Sequence, residues 1–333
     1  MTVLITGGTG FVGRAILQEL LSGGREVRAL SRATRSSARL RRLGADPVRG
    51  DILDYQSLVK AMQGCEIVYH AAGLNAFCLP DPGPLFRLNV DGSRNVVRAA
   101  AATGVHRVVY TSSAATLGEA KGTVGSEDSP HRGWFLSQYE RSKYQAEQAV
   151  LAGNEQVEVV SVNPSSVQGP GRTKGTARLF VQFLNGRSRV SVASRISIID
   201  VADCARGHLL AEAKGRPGRR YVFNGATLTT SEVLALLAQE TGLDQRHVTL
   251  PPPLATAGAA LVERATRALG RQPPVCGEMV RTLLHGHTYD GSRATRELGL
   301  TYTPVRETLR RAIAWYVENG YVRRPLPRFT RSG

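Results

Sequence analysis

The stretch that most constrains this chain lies near its start. Val3, Leu4 and Ile5 form a short apolar run, and Thr6-Gly7-Gly8-Thr9-Gly10-Phe11-Val12-Gly13 follows at once. From Arg14 to Leu21 apolar residues recur at helical spacing, at Ala15, Ile16, Leu17, Leu20 and Leu21. A buried strand, a glycine turn and a helix in that order make a phosphate cradle. The glycines permit the tight turn and the close approach of a pyrophosphate, while the helix N-terminus faces the anion. The spacing is Gly7-x-x-Gly10-x-x-Gly13 rather than G-x-G-x-x-G. With a strand before it and a helix after it, this segment predicts a nucleotide site at Gly7, Gly10, Phe11, Val12 and Gly13.

The following residues repeat the theme. Glu26–Leu30 reads as a second strand, Pro47–Ile52 as a third strand and its exit, and Glu66–His70 as a fourth that leads into Ala71-Ala72-Gly73. Arg107–Thr111 reads as a fifth strand ending in Thr111-Ser112-Ser113, and Val157–Val162 as a sixth closed by Asn163-Pro164. Helices are expected at Leu53–Met62, 85–103 and Tyr139–Leu151, with a loop over the pocket at 74–84. Strand and helix alternating in this way predict an α/β, doubly wound parallel sheet with ligands beyond the strands' carboxyl ends. Arg32 stands where such a sheet chooses between dinucleotides. An acidic residue there would bind the ribose 2′-hydroxyl, whereas arginine accommodates a 2′-phosphate. Ser31-Arg32, with Arg35, Ser36 and Ser37 close behind, favours NADP, NAD being the alternative.

Several function classes lose support. No apolar run approaches the roughly 20 residues that span a bilayer. The first strand begins almost at Met1, which leaves no room for a signal peptide and predicts a cytoplasmic location. Four cysteines, Cys65, Cys78, Cys204 and Cys276, lie far apart and are expected to be reduced thiols. His285 and His287 are too isolated to suggest a metal, and no metal site is expected. The net charge of +16 invites an anionic partner, but the basic clusters lack interleaved aromatics, which total only 6%, so nucleic acid is not an expected partner.

Ser113, Tyr139 and Lys143 form a coherent catalytic set. Tyr139 and Lys143 stand at i and i+4 and share a helix face. A phenol titrating near 10 is a poor base at neutral pH; a nearby ammonium, the positive nicotinamide ring of the oxidised cofactor and hydrogen bonds are expected to stabilise the phenolate, and lowering its value by about 3 units needs roughly 4 kcal/mol. Ser113 would hold a substrate oxygen while Tyr139 exchanges its proton.

These residues resemble the extended short-chain dehydrogenase/reductase family. The resemblance is carried by Gly7-x-x-Gly10-x-x-Gly13, Gly50-Asp51, His70-Ala71-Ala72, Asn89-Val90-x-Gly92, Tyr110-Thr111-Ser112-Ser113 and Tyr139-x-x-x-Lys143, and by Asn163-Pro164 before Gly169-Pro170-Gly171. It implies catalytic roles for Ser113, Tyr139 and Lys143. It implies that Asp51 and Ile52 lie near an adenine, that Ala71, Ala72 and Gly73 line the dinucleotide, and that Thr111, Tyr139, Lys143, Pro164 and Ser166 contribute to the same site. Sugar-nucleotide dehydratases carry Asp-Glu after the catalytic hydroxyl residue, where this chain has Ala114-Ala115. Many epimerases carry Asn-Val-Tyr-Gly-Pro, where this chain has Ser166-Val167-Gln168-Gly169-Pro170. Ser292-Arg293-Ala294-x-x-Glu297-Leu298-Gly299 and Trp315-Tyr316-x-x-x-Gly320-Tyr321 are similar to dihydroflavonol-reductase-like proteins and to hopanoid-associated sugar epimerases.

The expected organisation is a Rossmann-type domain of 1–165 plus about 196–224, where the return of the second segment is implied by the resemblance. A smaller, mostly helical substrate lobe would comprise about 166–195 plus 225–322, with helices near 254–269, 275–284, 290–298 and 304–318. Residues 323–333 would form a basic, mobile tail. The expected activity is an NADP-dependent oxidoreductase interconverting a carbonyl and a secondary alcohol on a small-molecule substrate. The alternatives are an epimerase with tightly bound NAD, and a sensor or scaffold that turns nothing over. The resemblance also favours a homodimer through 85–103 and 136–152, a monomer being the alternative.

Overall fold

A computed structural model describes residues 2–153, 157–187, 190–244 and 248–329. The first part runs β1 (Thr2–Thr6), α1 (Phe11–Ser22), β2 (Glu26–Ser31), α2 (Thr34–Arg42), β3 (Asp46–Arg49), α3 (Tyr55–Met62) and β4 (Ile67–His70). A long connection leads to α4 (Gly83–Phe86), α5 (Gly92–Ala102), β5 (Arg107–Thr111), α6 (Gln138–Ala152) and β6 (Glu158–Pro164). Then follow β7 (Ser166–Gln168), α7 (Thr176–Leu184), β8 (Val190–Val192), β9 (Arg195–Asp200), α8 (Val201–Lys214) and β10 (Arg220–Phe223). The chain continues through β11 (Ala226–Thr229), α9 (Thr230–Thr241), β12 (Val248–Leu250), α10 (Pro252–Ala268), α11 (Gly277–His285) and α12 (Val305–Glu318).

Seven parallel strands lie in the order β3-β2-β1-β4-β5-β6-β10. Their apolar runs bury both faces, as a sheet covered by helices on each side requires. Within β1 the period of two is visible. Val3 and Ile5 pack with Ile16, Leu17 and Leu20 of α1 and Ala205 of α8. Leu4 points the other way, into Leu58 and Met62 of α3 and Val96 of α5. Strand order reverses between β1 and β4, which opens the crevice where ligands bind in such sheets.

The structure departs from the sequence expectations at several elements. Residues Thr34–Arg42, for which no element was expected, form α2, whose one buried residue is Leu40. The helix expected over 85–103 is interrupted by a π-helical turn at Arg87–Asp91. The helix expected at 290–298 narrows to a turn around the π-helical Ala294–Leu298. The strand expected at 196–199 in the nucleotide domain is β9, and it pairs with β7 and β11 in a separate three-stranded sheet, whereas β10 joins the main sheet beside β6. Finally, the expected mobile tail is docked as far as residue 329. Leu326 is buried among Leu237, Leu243 and Val322, Arg323 N donates to Asn185 Oδ1 at 3.0 Å, and Arg328 N donates to the Thr241 carbonyl at 3.0 Å. Residues 330–333 lie outside the described residues. Among the described residues no helix is long and apolar enough to cross a membrane.

Candidate active site

The crevice between β1 and β4 is shaped by backbone contact. Gly7 has φ +74°, and a Cβ there would lie 2.6 Å from the Ala71 carbonyl carbon and from the Ala72 nitrogen. A Cβ on Gly13 would strike the Gly7 carbonyl. Only glycine lets the turn fold this tightly against both α1 and the exit of β4. Gly10 caps α1 without a side-chain hydrogen bond, and no acidic residue stands in the first turn. The first-turn N–H groups and the positive end of the helix, where Phe11 and Val12 lie, thus suit a dinucleotide's diphosphate.

The other expected cofactor residues gather on the same edge. Ala72 N donates to Thr6 Oγ1 at 3.2 Å, and Gly73 lies against Asn89. Arg32 leaves β2 with its side chain 68% exposed, 3.8 Å from Asp51. Asp51 Oδ1 accepts from Leu53 N at 3.0 Å, and Ile52 is buried beneath Gly92. Pro164 ends β6, and Ser166 Oγ accepts from Gln168 Nε2 at 2.9 Å and donates to Thr176 Oγ1 at 3.1 Å.

Ser113 follows β5 and caps a short 3-10 turn over Ala114–Leu117, its hydroxyl accepting from Ala115 N. Ser137 caps α6 through Glu140 N and so sets the register that presents Tyr139 and Lys143. Lys143 is 5% exposed and donates to the Tyr110 hydroxyl and to the Thr111 carbonyl, both at 2.9 Å. Burial pulls its ammonium down to about 8, while Glu147 acts in the opposite direction. Burial also holds His70 near 3, helped by Lys143. Its ring joins Thr6 Oγ1 at 2.7 Å to Ser93 Oγ at 2.9 Å. Thr111 Oγ1 lies 2.9 Å from His208 Nε2.

Tyr139 corrects the electrostatic expectation. Burial pushes its phenol up, against the lowering effects of a Ser113 hydrogen bond and of the Arg172 guanidinium. Lys143 directs two of its three N–H donors to Tyr110 and Thr111, and it is not among the groups that bear on the phenol. The cation that bears on it is Arg172, which sequence reasoning missed. Arg172 follows the Gly169-Pro170-Gly171 turn, its guanidinium lies 5.3 Å from the centre of the Phe11 ring, and its buried Nε has no partner. That glycine-proline turn was the one available signal. Asn89, part of the Asn89-Val90-x-Gly92 motif that carries the resemblance, was given no role in the sequence reading. At the π-helical turn its side chain accepts from Leu74 N at 2.7 Å and donates to Leu74 O at 3.0 Å and to Ser142 Oγ at 2.9 Å, which ties the covering loop to α6.

The loop over 74–84 reaches Tyr139. The Phe77 ring lies 5.6 Å from that of Tyr139. Cys78 is bonded to Cys276 at the start of α11, which overturns the expectation of reduced thiols for this pair; Cys65 and Cys204 are free and buried. The partners stand 198 residues apart, so only the docking of the C-terminal lobe onto this loop brings them together. Glu278 clasps the same junction, accepting from Cys78 N and Gln138 N. A cavity of about 230 Å³ lies here, lined by Ala76, Leu79, Leu85, Gln138 and Arg281 among others. His285 and His287, isolated in the sequence, meet Glu119 at the far end of α11.

The family model described as "NAD dependent epimerase/dehydratase family" matches residues 3–224. A Synechocystis sp. protein provisionally named dihydroflavonol 4-reductase is 36% identical over 96% of this chain and 95% of its own length. A 2-alkyl-3-oxoalkanoate reductase of Stenotrophomonas maltophilia is 29% identical over 93% of this chain and 98% of its own. Among solved structures, gox2253 superposes with a TM-score of 0.84 at 30% identity, covering 97% of this chain and 99% of that one. MoeE5 in complex with UDP-glucuronic acid and NAD superposes with a TM-score of 0.75 at 27% identity, covering 96% and 100%.

Proposed function

Since this chain belongs to the NAD dependent epimerase/dehydratase family and is an NAD(P)-dependent oxidoreductase, we propose that it uses NADP to interconvert a ketone and a secondary alcohol on a small or medium-sized apolar substrate. The observation that carries this reading is the placement of Tyr139, a phenol whose proton is held more tightly than usual and whose ring faces Phe77 of the covering loop. Reduction of a carbonyl needs an acid at that place, and a neutral phenol is one.

The bound dinucleotide supplies or accepts the hydride. Ser113 holds the substrate oxygen, and Tyr139 gives up its proton as negative charge develops there. Arg172 offsets the charge left on the phenolate, Lys143 holds the end of β5 beside it through Tyr110 and Thr111, and the Phe77 loop excludes water, which strengthens these interactions. The names of the two reductase relatives agree in chemical class with a ketone substrate. MoeE5, which holds NAD and a UDP-sugar, keeps the epimerase reading in view as a second choice. Ser166 stands where such enzymes carry asparagine, and this favours the reductase.

Tyr139→Phe should reduce turnover about a hundredfold or more while NADPH affinity changes by less than about twofold, measured by steady-state kinetics and fluorescence titration. Unchanged turnover would remove Tyr139 from the mechanism. Analysis of the dinucleotide released on denaturation separates the two enzyme readings, since near-stoichiometric NAD would favour the epimerase.

A further inference from the structure

We propose that Glu119, His285 and His287 form a binding site for a first-row transition-metal dication of the zinc type. The donor atoms of the three side chains lie within 4.8 Å of one another. His287 Nδ1 is 2.6 Å from Glu119 Oε1, and His285 Nε2 is 3.7 Å from the same oxygen. Ligands held about 2.0–2.2 Å from a tetrahedral ion stand roughly 3.3–3.5 Å apart, so the set accommodates one after a small opening of the His287 pair.

Two unpaired atoms point to a missing occupant. Glu119 Oε2 and His285 Nε2 are buried without hydrogen-bond partners, on residues only 2% and 8% exposed. Each such orphan costs about 1–3 kcal/mol. A simple imidazole–carboxylate pair between His287 and Glu119 leaves both unsatisfied, whereas a shared ion satisfies both. Two imidazoles beside one carboxylate suit zinc, cobalt or iron rather than the oxygen-seeking magnesium and calcium. Among the described residues the other cluster of metal-binding donors, Cys78, Cys276 and Glu278, has its sulfurs committed to the disulfide.

The donors are held in place by backbone on every side. Arg132 N donates to Gly118 O at 2.8 Å, beside Glu119. Gly125 N donates to Thr288 O at 2.8 Å, and Asp290 N returns a bond to Gly125 O at 2.9 Å. Ser197 Oγ donates to His287 O at 2.9 Å. The Tyr289 ring stacks on the His287 imidazole, and its hydroxyl, 2.9 Å from His287 Nδ1, gives up that nitrogen when the ion binds. Arg132, the nearby cation, is paired with Glu140. Glu119 lies two residues past the turn that follows Ser113, so the ion joins that turn to the end of α11. The disulfide holds the beginning of the same helix.

The test is a Co²⁺ titration of untagged, chelator-treated protein with its disulfide intact, read by visible absorption and followed by Zn²⁺ competition. We expect one ion per chain, the d–d bands of a tetrahedral site and displacement by Zn²⁺. Glu119→Gln and His287→Ala should each weaken binding about tenfold or more, and Cys276→Ser should leave it unchanged. Zn²⁺ should raise the thermal midpoint of the parent protein and of neither of the first two variants. Absence of the bands in the parent overturns the site even if a variant fails to fold. Binding equal to the parent's in Glu119→Gln and His287→Ala, or lost in Cys276→Ser, places the ion elsewhere and overturns it too.

Discussion

Arg32 and Arg172 show how two guanidinium groups divide the work by position. Arg32 is largely solvated at the end of β2, free to turn toward a ribose phosphate, and only loosely engaged with Asp51 at 3.8 Å. Its replacement by Ala should weaken NADPH about tenfold or more and NADH by less than about twofold in parallel titrations, because only the former carries the 2′-phosphate. Equal losses would deny it that role. Arg172 is instead half-buried over Phe11, and its charge is felt by Tyr139. Arg32 was legible because it follows a strand whose end has a known task in this sheet. Arg172 was not, because nothing local distinguishes it from the other arginines of a basic chain. Ser113, Tyr139 and Lys143 were legible as types at telling spacings, but the partners of Lys143 belong to β5, and only the packing of α6 on that strand reveals them.

At the scale of elements, α11 is the piece around which the covering lobe is tied. Its start is bonded to the loop over Tyr139 through Cys78–Cys276, and its end meets Glu119. Closing a loop of 198 residues restricts the unfolded chain, and such a cross-link contributes roughly 2–4 kcal/mol. Reductant should therefore lower the thermal midpoint of the parent protein, and Cys276→Ser should start from the lowered value and ignore reductant. An unchanged midpoint in the parent would mean that the bond contributes nothing. Most longer helices were readable from their 3.6-residue period, with α6 and α12 near their expected bounds, whereas the Arg-rich α2 was not. The π-helical turn at Arg87–Asp91 was not, since its extra residue serves to aim Asn89 at Leu74, a contact outside the helix.

For the whole molecule, the buried histidines make stability depend on acid. Burial holds His70 near 3 and His208 near 4, both below the value of about 6.5 expected of an unfolded histidine. Above pH 6.5 neither state is protonated and the full stability is present. As pH falls below 6.5 the unfolded chain takes up protons that the folded chain refuses, so stability declines until the folded values are reached. His208→Gln should lose about 2–3 kcal/mol less than the parent between pH 7 and pH 4.5 in urea unfolding, and an equal loss would refute the assignment. The high net charge penalises both proteins alike and cancels in the comparison. What the sequence determined by itself was what neighbours within a few residues decide. Glycine sterics set the cradle, the apolar period set the α/β sheet and its helices, and the i, i+4 relation set the Tyr139–Lys143 face. Only the tertiary structure decided the pairings across a hundred residues or more: Cys78 with Cys276, Glu119 with His285 and His287, and Arg172 with Phe11. Such pairs carry no local signature, because what brings them together is the burial of whole faces and not any preference of the residues themselves.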